Sequence, residues 1–323
     1  MTLAVSGVAP YATDTYKTGA KFLPDVWSGK MQVKFYKATC LSEVTNNDWE
    51  GEIKDTGDTV NIRSVPDINI STYTKGLALV SQVPTSTPLT LNIDKGKYFQ
   101  VVVDDVDKVQ ADIRLMDIFS DDAGEQMKIT IEADVFANVG ASAAASNFGA
   151  AAGVTSLNIN LGTSGAPCFC TPAGAGAKDG LLIGSAKNFV EHIVDMGQVL
   201  DEQNVPESGR WLLIPPAGAS RLKKGDIKQV NVTGDDQSPI RNGRLGMIDR
   251  FTLYVSNNLT NVSGAKYGLL AGTRDAISFA SQLTKVETIR STATFGDILR
   301  GLNVYGYGVT APKAVVSSIV TFA

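Results

Sequence analysis

Between residues 104 and 139 apolar side chains recur every three or four positions: Val106, Val109, Ile113, Met116, Phe119, Ala123, Met127, Ile131, Val135 and Val139. That spacing predicts one face of a single long helix, roughly 50 Å from end to end at 1.5 Å per residue. Asp104, Asp105 and Asp107 stand at its start. There carboxylates accept from free amides and meet the positive end of the helix dipole. Gly124, after Ser120-Asp121-Asp122, is the one weak point and a site for a bend. A bundle is not predicted, because no other long helical pattern exists to pack with this one.

Before the helix the period changes to two. Asp58 to Arg63, Ile68 to Ile70 and Leu89 to Ile93 alternate apolar and polar residues, which predicts half-buried strands. Thr56-Gly57-Asp58, Pro66-Asp67 and Lys75-Gly76 supply turn chemistry between them. The apolar face of this 46–103 excursion is thin, and a hairpin of that kind is marginal without a surface to lie on. Composition does not say whether its own domain or a neighbour provides one. Residues 1–45 read as an arm, with Pro24, Trp27, Phe35 and Tyr36 as its anchors.

After the helix, residues 140–180 are rich in Ala, Gly and Ser and predict a loop with a short strand at Leu157–Leu161. Phe189, Ile193, Met196 and Leu200 mark a second helix over 185–204, stopped at Val205-Pro206. Arg210–Ile214 reads as a buried strand ended by Pro215-Pro216, residues 217–244 as a polar loop, and Phe251–Val255 as a further strand. Together these make a compact α+β unit. Beyond it, strands are predicted at Ala276–Ala280, Thr284–Ile289, Val304–Val309 and Ala314–Phe322, with a helical or turn segment at Asp297–Leu302.

Composition narrows the function. The 323 residues carry 29 Lys plus Arg against 33 Asp plus Glu, a formal net charge of −4. A dedicated nucleic-acid binder would show a basic footprint. Lys223, Lys224 and Lys228 form a basic spot too small for one. No signal peptide and no membrane span are expected. The sequons at Asn69, Asn231, Asn258 and Asn261 read as chance matches. Three cysteines, Cys40, Cys168 and Cys170, make no disulfide framework and point to a reducing compartment.

Catalytic constellations are not found. The one histidine, His192, sits on a helix and reads as structural. Neither a P-loop nor a Gly-x-Ser-x-Gly elbow occurs, and Gly174–Gly180 misses the dinucleotide spacing. Cys168-x-Cys170 lacks a second pair, so no metal site is expected. The acidic pairs Asp104-Asp105, Asp121-Asp122 and Asp235-Asp236 read as a helix cap, a solvated helix face and a loop. Catalytic, cofactor and metal residues are all expected to be absent, and the chain is expected not to be an enzyme.

The order of the pieces carries more than any one of them: arm, protruding hairpin, very long helix, compact α+β unit, returning strands. With the phrases Phe22–Ser28, Gly57–Val60, Lys97-Tyr98-Phe99 leading into Val103–Asp107, Asn204-Val205-Pro206 with Arg210-Trp211, Val255–Asn258 and Val304-Tyr305-Gly306, this order resembles the tailed-bacteriophage major capsid proteins of the Hong Kong-97-type fold. The resemblance spans nearly the whole chain. It implies an N-terminal arm over 1–45, and an extended β-hairpin loop with the start of a peripheral domain over 46–103. It implies a peripheral domain over 104–184 with a spine helix at 104–139, an axial domain over 185–270, and a return to the peripheral domain over 271–323.

The function so implied is a structural coat protein. It self-assembles as hexamers and pentamers into an icosahedral head shell around double-stranded DNA, after assembly in the bacterial host cytoplasm. Its partners would be other copies of itself, with portal, scaffolding and decoration proteins as further candidates. No charged helical segment precedes the arm, which leaves open whether scaffolding is a separate protein or is not used. An encapsulin-like cellular compartment is the alternative, and an unrecognised enzyme or a tail-tube or surface-layer protein are weaker ones. Some members of the family cross-link a Lys to an Asn. Lys75 lies in the loop, but nothing marks its partners and no cross-link is expected.

Overall fold

The computed structural model describes residues 34–49, 59–63, 65–66, 68–76, 78, 81–85, 88–106, 115–171, 187–224, 246–259, 261–292 and 294–322. A short helix α1 (Leu41–Val44) precedes strands β1 (Thr59–Ile62), β2 (Leu89–Asn92) and β3 (Lys95–Asp104), and helix α2 (Leu115–Val139) follows them. Next come β4 (Cys168–Thr171), β5 (Lys187–Asn188), α3 (Phe189–Glu202), β6 (Arg210–Ile214) and α4 (Pro216–Lys224). The chain then runs through β7 (Met247–Ile248), β8 (Phe251–Val255), β9 (Asn261–Ser263) and β10 (Lys266–Thr273). It ends with β11 (Ile277–Arg290), β12 (Gly296–Val309) and β13 (Val315–Phe322).

These strands form three sheets. The first is the β1–β2 hairpin stem. The second is an antiparallel sheet in the order β11–β12–β3. The third and largest runs β5–β4–β13–β10–β6–β8–β7, with β9 paired to β10. It mixes parallel pairs, such as β6 with β8, and antiparallel pairs, such as β10 with β13.

The long apolar stripe is realised over its C-terminal half. Ile131, Val135 and Val139 are buried, with Phe136 beside them and Met127 partly covered. They join one core with Leu212, Leu213 and Ile214 of β6, Leu269 and Leu270 of β10, and Val315 and Val316 of β13. Residues 105–106 are helical directly after β3, and the helix is described again from Leu115. Asp104 ends β3, and its Oδ1 accepts from the Val106 N–H at 2.9 Å, so the acidic run caps from the last strand position. Val106 is exposed and not part of the buried face. Residues 107–114, Ile113 among them, lie outside the described residues.

Several predictions of local structure are corrected. Ile68–Ile70 joins no strand, because its alternation meets no partner strand among the described residues. Leu157–Leu161 makes only isolated bridges, Ala152 to Ile159 and Gly149 to Gly162, and Leu157 takes a positive φ of 50° that breaks any strand. The real strand in that stretch is β4, ten residues on. Within the expected loop 217–244 lies α4, whose Arg221, Lys223 and Lys224 meet the negative end of its own dipole. Asp297–Leu302 is strand and not helix: its hydrogen bonds go sideways to both β11 and β3. Strand β10, absent from the prediction, sits between β13 and β6. The C-terminal stretch therefore divides. β11 and β12 join β3, whereas β13 enters the large sheet between β4 and β10.

The second helix and the buried strand stand as predicted. Phe189, Ile193, Met196 and Leu200 are all buried on α3. Its N-terminus carries a capping box, Asn188 and Glu191 each accepting from the other's backbone end. Every residue of β6 is buried. That includes Arg210, whose guanidinium donates to the carbonyls of Val205 and Pro206 and meets Asp201 at 2.7 Å.

One charged side chain buried in this core has no counterion among the described residues. Glu132 on α2 is 1% exposed. Its Oε2 accepts from the backbone N–H groups of Cys40 at 2.6 Å and Leu41 at 3.0 Å. Its Oε1 accepts from the Ser256 hydroxyl at 3.2 Å and the Asn258 amide at 2.8 Å. Four donors from two distant segments thus converge on one carboxylate, which is what makes its burial tolerable. The segment it holds is stitched further to β11: Asn46 donates to Ile277 O, Phe279 donates to Asn46 O, and the Arg274 guanidinium donates to Thr45 O. Burial, with the Glu132 charge beside it, pushes the Cys40 thiol up to about 12.

Two substitutions test this core. Ile131→Asp buries an unpaired charge and is expected to cost several kcal/mol, giving insoluble or unfolded subunit. Lys128→Asp, one turn away on the exposed side, is expected to change stability by about 0.5 kcal/mol or less beyond its Glu125 pairing. Soluble expression and chemical denaturation of both variants check the assigned face. Glu132→Ala leaves four buried donors unanswered and is expected to lower unfolding free energy by about 3 kcal/mol or more. Limited proteolysis should then cut first near residues 34–46, which the carboxylate anchors.

Candidate functional site

Among the described residues, three uncovered places bear on association. The first is the excursion between β1 and β2. Val60 on β1 and Leu91 on β2 form a small cluster with Ile93 and Ala280, and Trp49, Ile62 and Val304 flank it. This cluster ties the stem to the three-stranded sheet. The approach is close enough that a Cβ at Gly306 would collide with the Asn92 carbonyl, so glycine is required there. Beyond the stem the two arms of the excursion run side by side. Asn69 N–H donates to Gln82 Oε1 at 3.1 Å, and Gln82 Nε2 donates to Asn69 O at 2.8 Å. The chain reverses at Lys75-Gly76, where Gly76 has φ +89°.

Most described side chains of this excursion are exposed. Val65 and Ile70 are each 93% exposed and Val83 87%, with Ile68 and Tyr73 about two-thirds exposed. Scattered single apolar residues on a surface are ordinary, but five on one loop point to an interaction surface. Lys75 sits at the tip, consistent with its predicted place in the loop.

The second place is the arm. Residues 34–40 run along α2. The Lys34 ammonium meets Asp122 at 2.6 Å and the Tyr36 hydroxyl donates to the same carboxylate at 2.9 Å. Asp122 therefore anchors the arm and does not simply face solvent; those two hydrogen bonds hold its carboxyl below the usual range. Phe35, expected to anchor the arm, points away and is 92% exposed, and Tyr36 anchors it instead. Pro24 and Trp27 lie outside the described residues.

The third place is the outer face of the β11–β12–β3 sheet. Tyr98, Gln100 and Val102 of β3 alternate outward opposite Leu302, Arg300 and Ile298 of β12. Tyr98 and Val102 are exposed, as is Leu302. Lys285, Glu287 and Arg300 form an ion-paired row across the same face. The inner side of this sheet is instead bound to α2, where the Tyr305 hydroxyl donates to Asp134 at 2.8 Å. Burial and that carboxylate raise the Tyr305 phenol well above its ordinary range.

The residues considered for chemistry fall elsewhere. Lys223 and Lys224 cap α4 at its C-terminal end; Lys228, Asp235-Asp236 and Gly174–Gly180 lie outside the described residues. His192 is fully buried, and the fold brings it beside Cys168 and Cys170, a grouping that sequence separation conceals. No helix among the described residues is long and apolar enough to cross a membrane.

Comparison with known proteins accords with this architecture. The profile of the family described as Phage capsid protein matches residues 87–318. No curated protein matches the sequence. Among solved structures, one from Mycobacterium phage Che8 superposes with a TM-score of 0.72 at 22% identity, covering 93% of this chain and 97% of that one. The capsid structure of cyanophage P-SCSP1u gives 0.66 at 16% identity, covering 93% of each chain. The mature capsid of bacteriophage PhiM1 gives 0.63 at 15% identity, with 93% and 92% covered. An encapsulin-like compartment is not favoured by these matches. With its family profile, its long helix between two sheets and its projecting hairpin, the chain belongs to the phage capsid proteins, has the α+β Hong Kong-97-type capsid fold, and is a structural subunit of a virion shell that assembles with copies of itself.

Proposed function

We propose that this subunit tiles a closed icosahedral head as hexamers and pentamers around the double-stranded DNA of a tailed phage. The observation that carries this reading is the excursion from 63 to 88, whose exposed Val65, Ile68, Ile70, Tyr73 and Val83 find no cover within their own chain. One chain can close a shell only through heterologous contacts repeated around rings. A projecting loop with an apolar flank suits such a contact, since its surface is completed by the next subunit. The arm, the exposed Phe35 and the outer face of the three-stranded sheet offer further contact area.

In the domain map that follows, 1–45 is the arm and 46–103 the extended loop with the start of the peripheral domain. Residues 104–184 are the peripheral domain with its spine helix, 185–270 the axial domain at the ring axes, and 271–323 the return to the periphery, apart from β13. Assembly takes place in the bacterial host cytoplasm. Portal, scaffolding and decoration proteins are the expected partners besides the subunit itself. The role is structural and no catalytic step is assigned to any residue.

Removing residues 66–88 tests the central claim. The stem strands and both larger sheets remain, so the variant should stay soluble, with a melting transition close to that of the parent. It should form no closed shells by electron microscopy under conditions where the parent does. Normal shells from the deleted chain would overturn the role of the loop. Binding to double-stranded DNA is expected to be weak and to vanish with added salt, because a chain of net charge −4 releases few counterions. Titration of labelled DNA at several ionic strengths measures it.

A further inference from the structure

The sequence separates Cys168 and Cys170 from His192 by more than twenty residues, and the fold closes that gap. The two cysteines alternate with Phe169 on β4, so both thiols leave the same face of the strand. β4 pairs in parallel with β13, Cys168 opposite Val320 and Cys170 opposite Phe322. Helix α3 packs against this strand, and its capping box at Asn188 fixes where the first turn begins. His192 thereby joins the buried stripe of Phe189, Ile193 and Met196. One ring nitrogen of His192 and the two sulfurs all lie within 4.8 Å of one another, and the three residues are buried.

Hydrogen bonding identifies the state of the imidazole. His192 Nε2 lies 2.7 Å from Ser318 Oγ. The Ser318 hydroxyl in turn donates to the Leu161 carbonyl at 2.7 Å. With its proton so committed, Ser318 accepts from Nε2–H, and Nδ1 is the nitrogen left with a bare lone pair. Nδ1 is buried and has no hydrogen-bond partner. A buried acceptor left in that state costs free energy that a packing role alone does not return. In metal centres the same arrangement is functional: a ligand histidine donates its other N–H to an oxygen that fixes the tautomer and the ring orientation.

We propose that Cys168, Cys170 and His192 bind a thiophilic d10 cation of the zinc class, which staples β4 to α3. Zinc–sulfur bonds of about 2.3 Å and zinc–nitrogen bonds of about 2.0–2.1 Å put tetrahedral donors about 3.3–3.8 Å apart. Donors within 4.8 Å of one another need close by no more than about 1.0–1.5 Å to meet that geometry. Binding releases the two thiol protons to solvent and forms two metal–thiolate bonds and one metal–imidazole bond. The dication and two thiolates then sum to no net charge, so the buried site needs no counterion. The fourth position is left for a water. Since none of the donors reaches solvent, the ion enters as the chain folds.

The test uses the full chain, expressed with zinc present and purified without chelator. Elemental analysis is expected to find about one zinc per chain, falling to about a tenth or less in Cys168→Ser/Cys170→Ser. X-ray absorption at the zinc edge should report two sulfur neighbours and at least one nitrogen. Ser318→Ala frees Nε2–H and is expected to weaken zinc retention against a competing chelator by about 10–100-fold. Refolding with cobalt should give the visible bands of a thiolate-bound tetrahedral ion, a readout available even if the cysteine variant fails to fold. Trace metal in the parent, or zinc with oxygen and nitrogen neighbours only, would overturn the site. So would zinc retention unchanged in Ser318→Ala.

Discussion

The subunit depends on a single carboxylate placed where a charge is costly. Glu132 lies in the buried half of α2 and takes donors from residues 40–41 on one side and 256–258 on the other. Those segments are more than two hundred residues apart in sequence, and neither is long enough to hold a position by its own packing. The first leads out of the arm and into β11 through Asn46. The second follows β8 at the edge region of the large sheet. A neutral side chain at 132 could fill the space, but it could not satisfy four inward-pointing donors. The cost of burying the charge is offset because the donors have nowhere else to go.

Around that point the molecule divides its labour. The main core is continuous from α2 through β6, β10 and β13 to α3. It is built entirely from residues of one subunit. The excursion between β1 and β2 has the opposite character, with a stem held by four buried side chains and apolar residues beyond it left in water. Covering a side chain of the size of Val, Ile or Tyr fully is worth about 1.5–3 kcal/mol. Five such residues on one loop therefore represent a driving force for association that the isolated chain cannot use. Stability and assembly are assigned to different residues, so a subunit can fold first and associate afterwards.

How far the sequence reveals this differs by element. Long-period signals were legible: the stripe from Met127 to Val139, the buried face of α3 and the five-residue run of β6 needed only spacing and a stop at Pro206. Strands judged by alternation alone were less secure. Ile68–Ile70 alternates as well as Thr59–Ile62 does, but only the second has a partner strand among the described residues, and alternation cannot say where a partner comes from. β10 was given no element because Leu269, Leu270 and Ala271 lie among glycines, although β6 and β13 pair with both its edges and all three side chains are buried. Asp297–Leu302 misled for a related reason: a glycine and charged residues suit a turn, yet Arg300 is tolerated because it points outward to Glu287. Glu132 gave no signal at all. A glutamate in a helix is ordinary, and its importance lies in donors that tertiary structure delivers. The grouping of Cys168, Cys170 and His192 was hidden in the same way, since strand and helix had to be superposed before three soft donors met.

The same division shows where the subunit can adapt to unlike surroundings in a shell. The large sheet cannot bend without disturbing a core to which two helices contribute. The three-stranded sheet has a built-in irregularity, a register shift in β11 between Ser281 and Leu283 against β12. Such a shift bends a strand locally and raises its twist. It falls one residue after Ala280, which belongs to the small cluster under the hairpin stem, and opposite Val304 and Tyr305 of β12. Tyr305 is tied to α2 through Asp134, while Val304 flanks the stem. The strand pair therefore meets both the stem and the long helix at this irregularity. Reorienting the loop there disturbs four buried side chains and leaves the main core intact.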